Sequence, residues 1–270
     1  MSNQMLVFMN GMSNGGKTLV YNLIKDEGNF IYLELSHYHF HIYEEEMIQQ
    51  IGSENVNRLK PLIKTKDILS EYRVFAKEMG YLMRQFPDYH FIIKPSGHVF
   101  PEANYHKKRA WFVNIKKYMP IDIEDMYFFY VVRHPKISWF TINGIPFSVF
   151  RGDLGHPGLK STLKYHEVIK IEELQNCKFL NKIITKTNLE NVKSYTNFDY
   201  INILGKNSNL GPRNYDNIEE EIKEIEKLQG AYELLGYDLN EEYVKSFCQD
   251  FIKYCEENGE ETNEVFYKYS

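Results

Sequence analysis

The sequence predicts an α/β fold: a doubly wound, mostly parallel sheet flanked by helices, in one domain of the P-loop type. Three observations carry that expectation. An apolar run of strand length, Met5–Met9, meets a glycine-rich turn and then a helical apolar pattern, Leu19, Val20, Leu23 and Ile24. Short apolar runs beyond it alternate with segments of helical period, the sequence form of β-α-β units. One of these runs, Met126–Val132, is apolar or aromatic throughout, as a strand buried on both faces should be.

The turn itself is specific. Gly11, Met12, Ser13, Asn14, Gly15, Gly16, Lys17 and Thr18 match G-x-x-x-x-G-K-T without a gap, between a strand and a helix as that motif requires. Glycines let successive backbone N–H groups curl around an anion, and the helix starting near Lys17 adds the positive end of its dipole. Lys17 supplies a point charge, Thr18 a hydroxyl, and Leu19 a further amide. The stretch reads as a phosphate site.

In order along the chain, Asn29–Leu35 has strand character and runs into Ser36–His41, where His37, His39 and His41 alternate with aromatics. On a strand, that spacing places the three imidazoles on one face. Such a row does not close a tetrahedral metal site alone, so no metal is expected. Residues 44–90 read as helical and charged, the best segment being Asp67–Phe86, with Ile68, Tyr72, Phe75, Met79 and Leu82 at helical spacing. His90–Lys94 is a short strand that stops before a Pro-Ser-Gly turn, and a helix is expected between Tyr105 and Tyr118. After Met126–Val132 come Arg133, His134 and Pro135, then a loop through Phe150–Gly158. Glu167–Ile171 is a further strand. Residues 178–189 form a helix, Leu204–Asn217 a loop bearing Arg213, and two helices close the chain, Ile218–Leu235 capped at Gly236 and about Glu241–Glu257.

Composition sets outer bounds. The 270 residues suit one large domain, and a formal net charge of −5 argues against a general nucleic-acid binder. No apolar run approaches the roughly 20 residues that cross a bilayer. The N-terminus lacks the order of a secretory signal, and Cys177, Cys248 and Cys255 show no C-x-x-C spacing. Free thiols in a reducing compartment, hence a cytoplasmic protein, are expected.

In a doubly wound sheet, ligands sit at the carboxyl ends of the strands. Two of those ends carry Lys94 and Arg133, and Glu34 is the only acidic residue near one. A phosphate loop with two cations suits a donor rich in phosphate and independent of a metal ion.

These residues resemble the sulfotransferases that use 3′-phosphoadenosine 5′-phosphosulfate (PAPS). Tyr127–Pro135 is similar to the family's strand ending in Arg-x-Pro, which implies that Arg133 grips the donor 3′-phosphate. The family's Ser eight positions on is Thr141 here, with Ser138 nearer. Tyr165–Leu174 resembles the short strand closing in Glu-Asp-Leu, and Tyr232–Tyr237 the C-terminal Leu-Gly-Tyr helix. Gly211, Pro212 and Arg213 lie where the family keeps a basic loop over the 3′-phosphate. The likeness covers residues 5 to about 240 in order. The loop departs at two positions: Asn14 stands where the family has a cation, and Lys17 where it has Thr. The resemblance implies sulfuryl transfer from PAPS, without a required metal, to a hydroxyl or amine of a small molecule or glycan. Lys17 and Lys94 would supply charge and His98, then His37, then Glu34 the acceptor's base. The loop also resembles that of small-molecule phosphotransferases, with Arg151 as the lid arginine. That alternative stays open at this stage.

Overall fold

The structure, a computed structural model, describes residues 4–12, 15–25, 29–37, 39–63, 72–95, 117–122, 125–134, 159–163, 166–183, 220, 223, 224, 226–237, 241–259, 267 and 270. The elements are β1 (Leu6–Gly11), α1 (Lys17–Lys25), β2 (Phe30–Glu34), α2 (Phe40–Ile51), α3 (Ser53–Ile63), α4 (Tyr72–Gln85), β3 (His90–Lys94), β4 (Met126–Val132), α5 (Leu159–Leu163), β5 (Glu167–Lys170), α6 (Leu180–Ile183), α7 (Gln229–Leu234) and α8 (Glu241–Asn258). A 3-10 turn, Ile171–Asn176, follows β5. The five strands form one sheet in the order β2-β3-β1-β4-β5. β3 is parallel to both neighbours, with Phe8 opposite Ile93 and Glu34 opposite Lys94. This is the doubly wound α/β architecture that alternating strand and helix signals predict.

The chain gathers into two compact units, each built from separate stretches of sequence. The first comprises residues 1–11, 21–130 and 160–167; the second comprises 12–20, 131–159 and 168–270. Their boundaries fall at the end of β1 and inside α1, β4, α5 and β5.

In the first unit the strands bury alternate residues on one face, as a period of two requires. Leu6 and Phe8, Ile31 and Leu33, Phe91 and Ile93, and Phe128 share a core with Val56, Leu59 and Leu62 of α3. Phe75, Met79, Leu82 and Met83 of α4 complete it, at the spacing that predicts the helix. Phe8 and Phe128 stack with centroids 4.7 Å apart. The opposite face of β2 carries Tyr32 against Tyr21 of α1, 3.9 Å between centroids. Helices thus cover both faces. Gln4, buried, donates to the Met83 and Phe86 carbonyls and satisfies the end of α4.

One side chain makes this unit sensitive to acid. His90 Nδ1 accepts the Met5 N–H at 3.0 Å, which requires a neutral ring, and burial lowers its pKa from the usual imidazole value. The unfolded chain therefore takes up this proton first as pH falls. The His90 contribution is complete above the ordinary imidazole pKa of about 6.5 and is lost below it. The urea midpoint of the protein should fall between pH 7 and pH 5 more steeply than that of His90→Asn, whose carbonyl oxygen still accepts the amide.

The segment after β2 departs from the strand reading. Glu34 Oε1 accepts the Ser36 N–H at 3.1 Å, and the Ser36 carbonyl accepts both the His39 and Phe40 N–H groups. The backbone is turned into α2 there, so His37 and His39 lie in a turn and His41 in a helix. All three imidazoles are exposed and share no strand face. Among the described residues no helix is long and apolar enough to cross a membrane. The expected helix between Tyr105 and Tyr118 and the loops Phe150–Gly158 and Leu204–Asn217 lie outside the described residues.

Candidate functional site

The second unit holds most of the glycine-rich loop that follows β1. Met12 donates its N–H to the Val131 carbonyl of β4 at 3.1 Å, and the Gly15 N–H returns to the Met12 carbonyl at 3.0 Å. Together these bonds fold the loop back on itself beside the end of β4. The glycines are sterically required. A Cβ on Gly15 would lie 2.7 Å from the Val131 oxygen. Gly16 has a φ of +91°, and a Cβ there would meet Ile171 Cδ1 at 2.5 Å. The Lys17 ammonium donates to the Met12 carbonyl, so its charge is held against the loop's own backbone. Thr18 is half-buried and Leu19 buried in the first turn of α1, the end at which a helix's free amides favour negative charge. Ser13 and Asn14 lie outside the described residues.

Arg133 follows the last residue of β4 and is buried in the same unit. The Val131 carbonyl that receives the loop is two residues away from it in sequence. His134, 2% exposed, packs edge-on against Tyr237 with centroids 5.3 Å apart, and at 6.4 Å from Tyr232. Tyr237 follows the left-handed Gly236 that closes α7, and its N–H bonds the Tyr232 carbonyl at 2.9 Å. Lys170, last residue of β5, donates to the Gly236 carbonyl and lies over the Tyr237 ring, 4.8 Å from its centroid. Four stretches far apart in sequence, 12–18, 131–134, 170–171 and 232–237, are joined by these contacts into one cluster. Ser138, Thr141, Arg151 and Arg213 lie outside the described residues.

The first unit holds Gly11, Glu34, His37 and Lys94. Gly11 ends β1. Lys94 Nζ is 2.7 Å from Glu34 Oε2, the two residues being directly opposite in the β2–β3 register. Glu34 is fully buried and also accepts from the Tyr32 hydroxyl at 2.8 Å. Burial and that carboxylate push the Tyr32 phenol well above its usual pKa, so the phenol stays a donor. The β3 tip is therefore a neutral pair, where the sequence alone reads a cation. Glu34, enclosed and hydrogen-bonded on both oxygens, is built to hold the tip together. His37 is exposed in its turn, and His98 lies outside the described residues. Among the described residues no three His, Cys, Asp or Glu side chains gather as a metal site.

His134, Tyr237 and Ile171 belong to stretches that the sequence singles out, but nothing in the sequence gives them a role in the cluster. Their contacts join stretches far apart in the chain, which sequence order alone does not reveal. No protein-family model, curated protein or solved structure matches the chain.

Proposed function

We propose that the chain is a sulfotransferase that moves a sulfuryl group from PAPS to a hydroxyl or amine of a small molecule or glycan, in the cytoplasm. The carrying observation is the cluster of the second unit. The stretches on which the resemblance rests, a phosphate loop, an Arg-x-Pro strand end, a strand closing in Glu-Glu-Leu and a Leu-Gly-Tyr helix end, meet there through direct contacts.

The chemistry asked of this chain is limited. The acceptor oxygen or nitrogen attacks sulfur in line. The bond from sulfur to the bridging oxygen breaks, and its electron pair leaves on the 5′-phosphate of 3′-phosphoadenosine 5′-phosphate (PAP). The loop amides and Lys17 counter the charge that grows on that oxygen, and the acceptor's proton passes to a base. Arg133, a rigid bidentate donor, is assigned to the 3′-phosphate. No step calls for a metal ion.

Arg133 gives the test. Charge-assisted hydrogen bonds of this kind contribute about 1.5–3 kcal/mol. Arg133→Ala is expected to weaken PAP binding roughly ten- to a hundredfold, since about 1.4 kcal/mol is a factor of ten. Binding of adenosine 5′-phosphosulfate, which has no 3′-phosphate, should stay within about twofold. The wild type should also melt later with PAP in the absence of magnesium. Equal losses for both nucleotides would remove the assignment. A phosphotransferase is the second reading, favoured by the intact Lys17–Thr18 pair of the loop. It predicts stabilisation by magnesium-ATP and none by PAP.

A further inference from the structure

We propose that His134 is a positioning residue for Arg133, locking the end of β4 through an aromatic clasp with Tyr232 and Tyr237. The inference rests on the sulfotransferase reading and adds a role to the end of α7. A guanidinium that reads one phosphate must arrive at a fixed angle, because bidentate bonds are directional. Arg133 stands beyond the last ladder residue of β4, so the sheet alone does not fix its backbone. The next residue does. His134 is almost wholly buried, with its ring edge-on to Tyr237 at 75° and tilted at 44° to Tyr232.

Both partners are themselves held. Tyr232 is fully buried; its N–H bonds the Leu228 carbonyl at the start of α7, and its carbonyl accepts from Leu235 and Tyr237 at the end. Tyr237 is pinned by the Gly236 cap and by Lys170, which bonds the Gly236 carbonyl while covering the ring. The Tyr232 hydroxyl has no hydrogen-bond partner among the described residues, so the ring does the holding. The clasp thus links the β5 end and the end of α7 to the residue that follows Arg133. Aromatic pairs prefer particular ring orientations, and two rings against one imidazole limit how it can turn.

The experiment titrates PAP and adenosine 5′-phosphosulfate into His134→Ala, His134→Phe and Tyr237→Leu, with thermal midpoints measured alongside. His134→Ala is expected to weaken PAP binding about tenfold and the phosphosulfate no more than about twofold. His134→Phe keeps an aromatic edge and should return PAP affinity to within about threefold of wild type. Tyr237→Leu opens the clasp from the other side and should reproduce the contrast. A merely structural histidine lowers the melting point and weakens both nucleotides alike, and that pattern overturns the proposal. So does unchanged PAP binding in Tyr237→Leu, or failure of all three variants to fold. If the wild type binds PAP no better than the phosphosulfate, the underlying reading fails before any variant is made, and the clasp's assigned role falls with it.

Discussion

Lys94→Ala should lower the stability of the protein by about 3–5 kcal/mol, the usual result of removing one partner from a buried ion pair. Glu34 is fully buried and Lys94 only 13% exposed at its side chain, so little water can replace the ammonium. The carboxylate left behind would keep the Tyr32 hydroxyl and the Ser36 amide but lose its counter-charge. A loss of this size is a large share of the 5–15 kcal/mol that typically holds a fold. Urea titration would read it as a fall in midpoint at unchanged slope. Lys94→Met combined with Glu34→Gln removes both charges; the glutamine oxygen accepts the Ser36 N–H, and its –NH2 donates to the Tyr32 hydroxyl, which can accept as well as donate. That pair should recover at least half of the loss, because two matched neutral groups replace a charge without a partner. A Lys94→Ala protein as stable as wild type would mean that the pair is solvated, and Lys94 would return as a catalytic charge.

That pair also shows where reading the sequence stops. β3 and β4 were legible to the residue, His90–Lys94 and Met126–Val132, because each is an apolar run ended by a charge or a turn. The loop was legible because its glycines answer to local backbone geometry. Glu34 and Lys94 are 60 residues apart, and only the β2–β3 register makes them neighbours. Lys94 was therefore read as a lone cation and Glu34 as an available base. Ser36–His41 misled for a local reason. Its alternation mimics a strand, while the Glu34 carboxylate and the Ser36 carbonyl turn the backbone into α2. The division into two units had no signature either, since its boundaries cut through α1 and β4 without a change in composition.

The largest effect on turnover should come from Lys17→Ala. Lys17 is the first residue of α1, and its ammonium is held at the Met12 carbonyl, within the loop that Gly15 and Gly16 close. Transfer puts negative charge on the bridging oxygen in the transition state, and a cation already in place stabilises that charge without reorganisation. Removing one such preorganised group typically costs about 10²–10³ in kcat. The measurement is passage of labelled sulfate from PAPS into a mixed panel of hydroxylated and amino acceptors, run beside labelled magnesium-ATP. Lys17→Ala should abolish whichever transfer the wild type performs. Thermal midpoints should change little, because the lost bond is a partly buried one to a single carbonyl. Lys17→Arg should restore little activity, since a planar guanidinium does not reproduce a compact ammonium. Full transfer by a folded Lys17→Ala protein would mean that the loop is a structural turn, and both transferase readings would lose their centre.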